Sequence, residues 1–81
     1  MPVLVWTKYD RCRWRSPSSI APLKFHITKW PSRFRIGESS PQLIAGVPQE
    51  QRSFPTLESA IRFCQTLEDH HVESQNGRDD Q

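Results

Sequence analysis

Apolar side chains are scarce in this sequence: 35% of 81 residues, against roughly 45–50% in an ordinary globular domain. No apolar run exceeds that of Val3 to Trp6, four residues where a spanning helix needs about twenty. That shortage excludes a membrane helix. No charged-then-apolar leader opens the sequence, so the expectation is a cytoplasmic protein. Glycine is nearly as scarce, with three residues, and no glycine-rich phosphate loop or Gly-x-Ser-x-Gly elbow can be assembled. Two cysteines, Cys12 and Cys64, permit one disulfide at most and no paired-cysteine metal motif. Without a secretory signal they are expected as reduced thiols, both buried. No catalytic constellation appears, so the expectation is a non-enzymatic protein with no cofactor, metal or small-molecule substrate. His70 and His71 precede Glu73, but adjacent helical histidines point apart and do not form a metal site.

What the sequence does have is charge, unevenly spread. The net value of +2 conceals a division near residue 36. From Met1 to Ile36, eight basic residues face Asp10 alone, a balance of +7. From Gly37 to Gln81, Arg52, Arg62 and Arg78 face eight acids, a balance of −5. Such asymmetry points to a polyanionic partner for the basic half. The competing reading is that the halves neutralise each other within the fold.

The apolar pattern predicts α+β architecture: a three- or four-stranded antiparallel sheet packed against one C-terminal helix. Val3 to Thr7 is β-branched and aromatic and reads as a strand. Arg11-Cys12-Arg13-Trp14-Arg15 alternates strictly, which places three arginines on one face and Cys12 with Trp14 on the other. Leu23 to Thr28 alternates again, and Arg33 to Ile36 follows it across a hairpin at Pro31-Ser32. Leu43 to Val47 is expected as a last strand, and Gln49 to Ser53 as a loop. Thr56 is a good helix N-cap, with Glu58 in the first turn. Leu57, Ala60, Ile61, Cys64 and Leu67 then line one helical face, and Phe54 can fold back on it. The helix should fade near His70. Residues 1–70 form the expected domain and 71–81 a disordered polar, acidic tail. At this size a core contributes only ~3–5 kcal/mol, so the domain is marginal alone.

The candidate site comes from the same alternation. Arg11, Arg13, Arg15, Lys24, His26, Trp30, Arg33 and Arg35 occupy strand or hairpin positions that alternate with core residues. They should gather on the sheet face away from the helix. Arginine and lysine there would neutralise phosphates while Trp30 or Trp6 stacks on a base. The bland alternative is an ordinary solvated face.

Arg52-Ser53-Phe54-Pro55-Thr56-Leu57-Glu58-Ser59-Ala60 is similar to the strand-to-helix junction of small DNA-binding domains, among them the amino-terminal domains of some phage-type integrases. The resemblance covers about a dozen residues and is one of fold only; it implies a sheet laid in a DNA groove. Two functional classes follow. The first is a small nucleic-acid-binding accessory protein using the basic, aromatic sheet face. The second is a protein-binding module, an inhibitor or adaptor of phage or plasmid origin acting on a host complex. Three tryptophans and eight arginines suit either, because both types are enriched at interface hot spots.

Overall fold

The computed structural model describes residues 3–77. Its elements are β1 (Thr7–Asp10), β2 (Arg13–Pro17), β3 (Lys24–Trp30), β4 (Arg33–Arg35), α1 (Pro41–Ile44), β5 (Ser53–Phe54) and α2 (Leu57–Gly77). A single 3₁₀ turn, Gln49–Gln51, precedes β5. The strands form one sheet in the order β1-β2-β3-β4-β5, each antiparallel to its neighbour. The fold is α+β, with an antiparallel sheet against one long C-terminal helix as expected, but the sheet has five strands.

Strand β3 is the spine. Its alternation buries Phe25 and Ile27 completely and turns Lys24, His26 and Thr28 the other way. Ile36, Leu43, Ile44, Ala60 and Cys64 complete the core, with Trp14, Phe34, Leu57, Ile61 and Leu67 packed around it. The hairpin at Pro31-Ser32 forms, with Trp30 opposite Arg33. Strand β4 ends at Arg35, and Ser39 and Ser40 satisfy the stretch of β3 beyond it. Ser39 Oγ accepts from His26 N (2.9 Å) and donates to His26 O (3.1 Å). Lys24 N donates to Ser40 Oγ, and Ser40 N to Lys24 O, both at 2.9 Å. Two serines thus cover backbone groups that would otherwise be orphaned.

Several local expectations are corrected. Of Val3 to Thr7 only Thr7 lies in a strand. Leu4 is buried, and its N–H donates to Gln65 Oε1 of α2 (3.0 Å). The chain therefore leaves the sheet for the helix, and Pro17, which lacks an N–H, could not extend the ladder towards it. Arg11 and Cys12 form the β1–β2 turn rather than strand. Asp10 Oδ1 accepts from Arg11 N (2.5 Å), the local contact that suits aspartate to turns. Cys12 is exposed as a result.

Leu43 to Val47 is not a strand. Pro41 opens α1, a position where its fixed φ and missing N–H cost nothing. Gly46 follows with φ +88°, the left-handed conformation that ends helices. Arg52 Nε donates to Val47 O at 2.8 Å and Nη2 to Ile44 O at 3.4 Å, a cation on the carbonyl end of α1. Phe54 is in β5, opposite Phe34, and also reaches back to α2, where its ring centroid lies 5.1 Å from that of Phe63.

Helix α2 begins where its cap predicts. Ser59 N donates to Thr56 Oγ1 at 3.1 Å, and the two hydroxyls also bond to each other. Thr56→Ala should therefore lower stability by about 1 kcal/mol, while Thr56→Ser stays within a few tenths; urea melts of the two variants check this. The helix does not fade at His70 but runs to Gly77. His71 Nε2 donates to Leu43 O (2.9 Å), tying this last stretch to α1. The remainder of the expected tail, residues 78–81, lies outside the described residues.

The two cysteines separate cleanly. Cys64 is fully buried, and that burial pushes its thiol up to about 12. Cys12 is exposed in its turn. A thiol reagent at pH 8 should modify one cysteine per native chain, Cys12, and reach Cys64 only on unfolding. Two thiols reacting at the same rate in the native protein would contradict this burial.

Candidate nucleic-acid interface

Directly paired residues of an antiparallel sheet share a face. Arg13 pairs with Thr28, Arg15 with His26 and Pro17 with Lys24. Thr28 pairs in turn with Arg35, and Trp30 with Arg33. Seven of the eight residues expected on the basic face, Arg13, Arg15, Lys24, His26, Trp30, Arg33 and Arg35, therefore share it, opposite α2. Arg11 is the exception, exposed in the β1–β2 turn at the sheet's end.

Two aromatic positions punctuate this face. The register slips between Lys8 and Asp10, and this bulge, a device that re-aims side chains, accompanies a Tyr9 turned to the basic side. Its hydroxyl lies 3.3 Å from His26 Nδ1, and the Arg15 guanidinium sits 5.0 Å from its ring centroid. At the far end of β3, Trp30 is 51% exposed, with the Arg35 guanidinium 5.7 Å from its centroid. Tyr9 is not among the expected site residues, because it falls between the two patterned segments, Val3 to Thr7 and Arg11 to Arg15.

Partial burial lowers the His26 pKa; Glu38 opposes the shift, and Arg15 and Lys24 reinforce it. His26 is accordingly a neutral imidazole at pH 7, a hydrogen-bonding group rather than a charge. Arg33 Nε donates to Ser53 Oγ of β5, and Arg35 Nη2 to Gln49 Oε1 at 3.3 Å. These neutral partners orient the guanidinium groups without cancelling their charge.

The proposed internal neutralisation of the two charged halves finds no support in the ion pairs. Among the described residues these are Arg13–Asp10 at 4.0 Å and Arg62–Glu58 at 3.7 Å. Each lies within one half of the chain, and both are exposed contacts of little energetic weight. Neither Arg15, Lys24, Arg33 nor Arg35 takes part in one. Among the described residues no group of three or more His, Cys, Asp or Glu could hold a metal ion, and no helix is long and apolar enough to cross a membrane.

One acid of the C-terminal half has a different use. Glu68 is fully buried and accepts from Ser18 Oγ (2.6 Å), Ser19 N (2.9 Å) and Ser19 Oγ (2.5 Å). It anchors the β2–β3 loop to α2. The helical stripe hides it from a sequence reading, because Glu68 adjoins Cys64 and Leu67 on the buried side.

The chain matches no protein-family model, no curated protein and no solved structure at a significant level.

Proposed function

We propose that this chain is a small, non-enzymatic nucleic-acid-binding protein that holds its ligand on the open face of the sheet. One observation carries the reading: five cations, Arg13, Arg15, Lys24, Arg33 and Arg35, share a solvent-facing sheet surface with Tyr9 and Trp30. Guanidinium and ammonium groups spaced along paired strands suit phosphates in series, and the aromatics suit unstacked bases. The combination favours a single strand, whose bases are free to lie on rings. A cytoplasmic setting belongs to the same proposal and suits the two free thiols.

The rival reading, a protein-binding module, has an observation of its own. Val3 and Val5 are 78% and 71% exposed beside β1, whose outer side has no strand partner among the described residues. Such an edge is a template for another chain. Fluorescence anisotropy with labelled octanucleotides at 50 and 200 mM salt separates the two. Nucleic-acid binding that weakens steeply between those salts supports the proposal. No affinity for DNA or RNA at the lower salt ends it and leaves the module.

A further inference from the structure

A hollow of about 230 Å³ opens between the end of β3 and the Gln49–Gln51 turn, with Trp30, Arg35, Glu38, Gln49 and Arg52 in its lining. Its composition is unlike the rest of the face. Glu38 is an exposed carboxylate set among cations, where it repels the phosphates the surface otherwise attracts. Its one hydrogen bond among the described residues is accepted from Thr28 Oγ1 at 3.0 Å, which fixes the carboxylate at the rim. The Trp30 ring is already used as a platform by a flat cation, the Arg35 guanidinium. A base is equally flat, and by taking that place it would release Arg35 to the adjoining phosphate.

Resting on the nucleic-acid reading of this face, we propose that the hollow takes one unpaired guanine of a single strand. The base stacks on Trp30 and donates N1–H and N2–H to the Glu38 carboxylate. Guanine alone among the four bases presents two adjacent N–H donors on its Watson–Crick edge. Adenine and cytosine set a donor beside an acceptor, and uracil flanks its donor with two acceptors, so each would meet the carboxylate with a lone pair. Once Arg35 is released, the Gln49 amide that it held through Oε1 can turn its nitrogen to guanine O6. Arg52 is held by Ile44 O and Val47 O and gives the hollow a fixed cationic floor.

The test uses the full chain and four labelled uridine octamers whose central residue is U, G, A or C. The guanine octamer should bind about tenfold more tightly than the others, the scale of one bidentate base contact. Glu38→Gln should abolish that preference, since an amide cannot accept from both donors. It should leave affinity for the all-uridine octamer unchanged or raised, because a negative charge has left the face. Four equal affinities that all fall with salt would overturn the guanine pocket and leave the wider proposal standing. A guanine preference that survives Glu38→Gln would overturn the role given to Glu38. Failure of every octamer to bind at low salt would remove both readings.

Discussion

Replacing Glu68 with alanine should destabilise the protein by about 3 kcal/mol, as removal of a buried charged acceptor does. Ser18 Oγ, Ser19 N and Ser19 Oγ would all lose their acceptor, and Ser18 is itself buried. For a domain of this length the loss lowers the melting temperature by roughly 12–24 °C. Burial alone would raise the Glu68 pKa, but the hydrogen bonds from Ser18 and Ser19, helped by His71, outweigh it and hold the group below its ordinary 4.5. A depressed pKa means that the folded state favours the carboxylate. The stabilisation is therefore present above the unfolded-state value and lost as pH falls through the folded one. Wild type should lose stability progressively below about pH 4.5, and Glu68→Gln should flatten that limb while starting from a lower plateau. Equal melting temperatures for wild type and Glu68→Ala at pH 7 would show that the loop is held by something else.

The second large effect is expected on binding. The triple variant Arg13→Ala, Arg15→Ala, Arg33→Ala removes three exposed cations and no core atom. On a single strand each lost phosphate contact flattens the log–log salt slope by roughly 0.7, so the slope should fall by about 2. Affinity at low salt should drop about a hundredfold, from three charge-assisted contacts each worth about 1 kcal/mol at an exposed site. The melting temperature should stay within a few degrees. A reduced affinity with an unchanged salt slope would indicate that these arginines do not meet phosphates.

The face was legible in the sequence because period-two alternation is a local property. Once Phe25 and Ile27 are buried, Lys24 and His26 must turn away, and the pairing of β2 and β4 brings Arg13, Arg15, Arg33 and Arg35 beside them. The stripe from Leu57 to Leu67 and the Thr56 cap likewise located the start of α2. What failed depended on partners distant in the chain. Leu43 and Ile44 are as apolar as a strand, and only Pro41 before them and Gly46 after them mark a short helix. Strand β5 has two residues, too few for any periodic signal, and exists because Phe54 finds Phe34. Cys12 is exposed where the alternation from Arg11 to Arg15 predicts burial, because a turn interrupts that alternation. Helix α2 outlasts its apolar stripe because His71 finds a carbonyl on α1. Glu68 looks like one acid in an acidic half, and nothing nearby in sequence reveals the two serines that hold it.

The three indole groups provide the most direct test of the binding face. Trp30 stands on the basic side, while Trp6 and Trp14 pack against the core on the helix side. Their side-chain N–H resonances can be followed in one two-dimensional spectrum as an octanucleotide is added at low salt. The basic-face account predicts that the Trp30 signal shifts saturably while those of Trp6 and Trp14 stay in place. Movement of Trp6 or Trp14 with Trp30 unchanged, or three stationary signals through an excess of nucleic acid, would contradict it.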